Sequence, residues 1–95
     1  MKDLEKASII WSDYIKYRAN FRGFELTKIE NILRYSGERY FDTITRRMIA
    51  VGSHDDCLVM IPYEKNDDSI TLITIHATTR QQINFRLKTG RFVYE

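Results

Sequence analysis

Ninety-five residues, 43% of them hydrophobic, fit one domain around one core and leave no room for a second. A net charge of +2 is too small to argue for nucleic acid by itself, and the lone Cys57 has no partner for an internal disulfide, which sets aside a disulfide-stapled secreted scaffold. No stretch approaches the length of a membrane span and the charged start MKDLEKAS does not read as a signal peptide, so a cytoplasmic domain without a membrane partner is expected.

Residues 1–8 alternate in charge and offer little to bury, which predicts a frayed lead-in. Ile9, Ile10 and Trp11 form a short apolar run suited to an edge strand or to pinning the helix that follows. Ser12 has the side chain of an N-cap and Asp13 the charge favoured in a first turn. Residues 13–21 then follow helical spacing, with Tyr14, Tyr17, Arg18 and Phe21 on one face, and the three aromatic rings are expected to pack on the sheet. Gly23 ends this helix because it can take a positive φ. A second helix over residues 26–35 buries Leu26, Ile29, Ile32 and Leu33 and stops at Ser36 and Gly37.

The pattern next turns to β. Residues 39–43 and 47–51 read as two strands around a turn, and residues 52–56 (GSHDD) as a second turn. Residues 57–63 are nearly continuously apolar and form a buried strand, with Pro62 near its end or at a bulge. The last long strand spans residues 70–76, with Ile70, Leu72, Thr74 and His76 expected on one face. Thr78 and Thr79 each have a Gln three positions on, so either can close a capping box for a helix over residues 79–88 that ends at Gly90. The predicted fold is therefore α+β: two N-terminal helices, a four-stranded antiparallel meander and a C-terminal helix.

Several chemistries lack their residues. His54, His76 and Cys57 have none of the paired spacings of a metal site, the four glycines form no phosphate-cradling loop, and no nucleophile elbow is present. No metal or cofactor is expected. What remains is a set of cations with a His and tyrosines, the inventory of metal-independent RNA phosphodiester cleavage. His76 can move a proton near neutrality, and Arg18, Arg22, Arg80 and Arg86 offer guanidinium forks for phosphate. Plainer roles exist for each. His76 suits a half-buried strand end bonded to a carbonyl, Arg18 and Arg22 a solvated helix edge, Arg86 a complement to a helix C-terminus, and Tyr94 a loose tail.

Three stretches also carry a family resemblance. Tyr14-x3-Arg18-x3-Arg22-Gly23-Phe24 resembles the first-helix motif of a small domain family found in toxin–antitoxin-like gene pairs. Glu38-Arg39-Tyr40-Phe41, together with the run from Ile73 to Arg80 (ITIHATTR), is similar to the BrnT family of toxins. The resemblance implies a RelE/ParE-like fold and a type II toxin that cleaves RNA, blocks translation and is neutralised by a cognate antitoxin. Arg80 matches the Arg of that family's A-T-x-R segment, and Arg22 its basic residue before the helix-ending Gly. The family's Arg before the A-T pair falls here on Ile75, with His76 following, and the Glu after Arg80 is Gln81.

The combined expectation makes His76, Arg80 and Arg22 catalytic, with Arg18, Arg86, Tyr14 and Tyr94 holding RNA. The partners expected are an RNA substrate, an antitoxin protein and, as a further option, a second copy in a homodimer. A non-catalytic module binding nucleic acid or protein is the alternative.

Overall fold

The computed structural model describes residue 4 and residues 6–95. Along the chain lie β1 (Ser8–Ile10), α1 (Asp13–Arg22), α2 (Leu26–Tyr35), β2 (Glu38–Asp42), β3 (Arg47–His54), β4 (Cys57–Lys65), β5 (Ser69–Leu72), β6 (His76–Thr78), α3 (Arg80–Lys88) and β7 (Phe92–Tyr94).

Local signals set the helix ends. The Ser12 hydroxyl accepts the Ile15 N–H at 3.1 Å, and Gly23 sits in the left-handed region at φ 77°, with its N–H turned back to the Ala19 and Asn20 carbonyls. Thr79 caps α3 by accepting from Gln82 N–H at 3.1 Å, while Thr78 bonds the Gln82 side chain. The C-terminus of α2 is held from within. Arg39 is buried on β2, and its guanidinium donates to the carbonyls of Leu33 and Ser36 and to the Tyr63 hydroxyl. It satisfies carbonyls that a helix end would otherwise leave without partners.

The sheet corrects the expected meander. Among the described residues it has seven strands in the order β1-β5-β4-β3-β2-β7, with β6 pairing a second segment of β4. Most pairs are antiparallel, but β1 runs parallel to β5, and β7 returns after α3 to pair with β2. Two helices, a four-stranded antiparallel meander and a closing helix therefore do not describe this fold. The chain re-enters the sheet at both ends, through three-residue strands too short to show a period of their own.

The predicted strand over residues 70–76 is two strands. Tyr63 pairs with Leu72, and Met60 with His76, so two residues of β4 face three of the opposing chain. That extra residue is a bulge, placed opposite Pro62, whose carbonyl accepts from Ile73 N–H at 2.9 Å. The bulge reverses the alternation. Ile75 takes the face of Ile70 and Leu72 and is fully buried, while His76 turns to the face of Met60.

Two apolar layers result. Ile15 and Ala19 of α1, with Ile29, Ile32 and Leu33 of α2, pack over Val59, Ile61, Tyr63, Ile70, Leu72 and Ile75. On the opposite face Ile83 of α3 packs with Tyr40, Ile49, Val51 and Phe92. Of the expected frayed lead-in, residues 1–3 and 5 lie outside the described residues, but Leu4 and Ala7 are buried and Arg34 of α2 donates to both of their carbonyls. Gly52 belongs to β3 rather than to a turn, and Ile32 of α2 lies directly over it.

Candidate phosphate site at the β6 edge

The two layers meet at β6. Arg18 of α1 reaches the strand from one face: its Nε donates to the Ile75 carbonyl at 3.2 Å, one Nη to the Tyr14 hydroxyl at 3.3 Å, and the other Nη lies 3.4 Å from His76 Nδ1. A guanidinium has only donors, so in this contact Nδ1 is the acceptor and the ring proton sits on Nε2. His76 is therefore neutral in this arrangement. Burial pushes its pKa below 6.5, and the charges of Arg18, Arg22 and Arg86 push it further in the same direction.

Those three arginines differ from most others in the chain. Arg34, Arg47, Arg80 and Arg91 each pair with a carboxylate, whereas among the described residues Arg18, Arg22 and Arg86 pair with none. Arg86 instead lies over the Phe92 ring at 5.6 Å. The β6 edge thus carries unneutralised positive charge around a neutral imidazole.

The expected core role of the α1 aromatics is also corrected. Tyr14, Tyr17 and Phe21 are 56%, 67% and 75% exposed, with the Tyr17 and Phe21 rings nearly parallel at 6.1 Å between centroids. Two sets of residues on α1 follow helical spacing, and the smaller pair, Ile15 and Ala19, is the buried one. Phe85 of α3, not singled out from the sequence, is 66% exposed. It borders a depression of about 490 Å³ lined also by Gln81, Gln82, Arg86, Thr89 and Arg91. Its signal in the sequence was its place beside Arg86, on the side of the helix away from Ile83.

Two expected site residues lie elsewhere. Arg80 grips Glu38 with both Nη groups, at 2.5 and 2.9 Å, and lowers that carboxylate's pKa. Glu38 is three strand spacings from His76 in the sheet register, about 14 Å along the sheet. Tyr94 packs edge-on against Tyr40, whose own hydroxyl bonds Glu38 and whose pKa is raised to about 12, chiefly by burial. Of the seven expected residues, His76, Arg18 and Tyr14 are joined by contacts, Arg22 and Arg86 stand near enough for their charges to act on His76, and Arg80 and Tyr94 belong to a separate cluster on β2.

One further group has metal-ligand chemistry: Glu25, His54 and Asp55. The Lys28 ammonium bridges its two carboxylates, and His54 Nε2 accepts the Glu25 N–H at 2.9 Å. These contacts make it an ion pair and helix cap. No helix among the described residues is long and apolar enough to cross a membrane.

No family model, curated protein or solved structure matches this chain.

Proposed function

We propose that the β6 edge binds the backbone of single-stranded RNA and cleaves it without a metal, the activity that the toxin resemblance implies. The supporting observation is His76 held neutral beside Arg18, Arg22 and Arg86, with no carboxylate paired to any of the three among the described residues. A phosphodiester carries one negative charge in the ground state, and its in-line transition state carries two. Cations in excess of the ground-state charge therefore favour the transition state.

The steps follow from the contacts. An incoming phosphate draws the Arg18 guanidinium from the neutral Tyr14 and His76 acceptors, since a charged acceptor makes the stronger bond. Nδ1 of His76 is then free to take the proton of the 2′-hydroxyl. The O2′–P bond forms, the P–O5′ bond breaks, and the departing oxygen takes a proton from Tyr14, whose hydroxyl now lies beside the phosphate. The products are a cyclic phosphate and a 5′-hydroxyl end. Exposed Tyr17, Phe21 and Phe85 supply rings on which unpaired bases stack, which selects single strands. As a toxin, the protein would act in the cytoplasm, held by an antitoxin that covers α1.

Incubation of a labelled single-stranded RNA with the wild type and with His76→Ala, in the presence of a chelator, tests this reading. The wild type is expected to cut, and the variant to lose about 100-fold or more of the rate while still binding RNA. Binding without scission by the wild type would support the non-catalytic module instead. That alternative rests on the present engagement of Nδ1 by Arg18.

A further inference from the structure

We propose that Arg18, Arg22 and Arg86 around His76 take a phosphomonoester dianion, the terminal phosphate of a nucleic-acid strand, in preference to an internal phosphodiester. This rests on the reading that the β6 edge binds nucleic-acid phosphate, and it names which phosphate.

Charge matching comes first. Three guanidinium groups without carboxylate partners among the described residues meet a single negative charge on a diester, but about −1.5 to −2 on a monoester at neutral pH, with three acceptor oxygens in place of two. Donor supply points the same way. Arg18 spends its donors on three neutral acceptors at 3.2 to 3.4 Å, long for bonds made by a cation, and two of these, Tyr14 and His76, are side chains that can yield. Arg22 is exposed one helical turn beyond Arg18 on α1, and Arg86, which lies over Phe92 from α3 in the opposite layer, is near enough for its charge to act on His76.

Proton uptake accompanies binding. The charged groups acting on His76 are Arg18 and Arg22 from α1 and Arg86 from α3; Tyr14 stands behind Arg18, and β4 presents the uncharged Met60. A dianion offsets the three cations that disfavour the imidazolium, so the His76 midpoint rises when the site fills. A strand end bearing phosphate is then a competitor for the cleavage site.

The test uses one single-stranded oligonucleotide with 2′-O-methyl sugars, which lacks the attacking hydroxyl, carrying a 5′-hydroxyl, a 5′-phosphate or a 3′-phosphate end. Inorganic phosphate and a nucleoside monophosphate form separate arms, and His76 is followed by NMR in each. At low salt one phosphorylated end is expected to bind about tenfold tighter than the hydroxyl end, and Arg86→Gln to reduce that gain to about threefold or less. Arg22→Gln is the second variant, since neither residue holds the backbone as Arg18 does. Equal affinity for all three ends, or a gain unchanged in both variants, overturns the inference while leaving RNA binding intact. If no oligonucleotide binds but free phosphate still raises the His76 midpoint, the monoester site stands and the RNA reading fails. Silence in every arm removes both.

Discussion

In the proposed reaction His76 moves the proton, and a one-residue change of register is what places it between two helices. Were the strand continuous, its side chain would follow Ile70 and Leu72 into the core of the α1 and α2 layer. The bulge turns it to the edge, where Arg18 holds it neutral. The consequence for stability has a definite sign. The folded pKa is lowered from 6.5, so the unfolded chain binds the extra proton first, and this contribution is present above pH 6.5 and lost as pH falls toward the folded value. Glu38 and Asp42, also lowered, from 4.5 and 3.8, lose theirs only at more acid pH. Thermal unfolding of the wild type should therefore show a decline that begins near pH 6.5 and a second one below 4.5. In His76→Gln the first is expected to vanish and the second to remain. Persistence of the first decline would place the titrating group elsewhere.

At the level of elements, close approach of α2 to the sheet depends on Gly52. A Cβ there would meet Ile32 Cγ2 at 2.8 Å and Cγ1 at 2.9 Å, and Ile32 is a stiff β-branched side chain in the packed core. Gly52→Ala is expected to cost about 1–3 kcal/mol in chemical denaturation, with the m-value unchanged. A neutral result would mean that α2 rides higher on the sheet than described. Much of the helical structure was legible in the sequence, because Ser12, Gly23, Thr79 and the stripe of Ile29, Ile32 and Leu33 act through neighbours within one helical turn. The bulge was anticipated as one option for Pro62, but its effect on His76 was not, since a register change is a property of the pair of strands. An edge strand was one expectation for residues 9–11, and β1 lies at the sheet edge, but its parallel pairing with β5 and the return of β7 to β2 depend on partners far along the chain, and Arg39 works through carbonyls of another element. On α1 two stripes competed, and only the packed sheet decides that Ile15 and Ala19 win. The candidate site was read in part: the pairing of Arg18 and Arg22 on one helix and the His76 strand end were visible, while Arg80 was drawn away by Glu38 from across the sheet.

For the whole molecule, the proposed site draws on both layers. Arg18 and Arg22 arrive with the α1 layer and Arg86 with the α3 layer, and the edge strand between them carries His76. A net charge of +2 hides this asymmetry, since the ion pairs of Arg34, Arg47, Arg80 and Arg91 neutralise other parts of the surface. RNA binding should accordingly weaken with salt, because phosphate contacts release counterions. The most direct measurement is NMR mapping of a non-cleavable single-stranded RNA onto the protein, following backbone amides together with the Arg Nε–H and His ring signals. The largest changes are expected on His76, Arg18, Arg22, Arg86 and the exposed face of α1, and they are expected to fade at high salt. Changes centred on Arg80, Glu38 and Tyr94, or on Glu25 and His54, with the β6 edge silent, would contradict it.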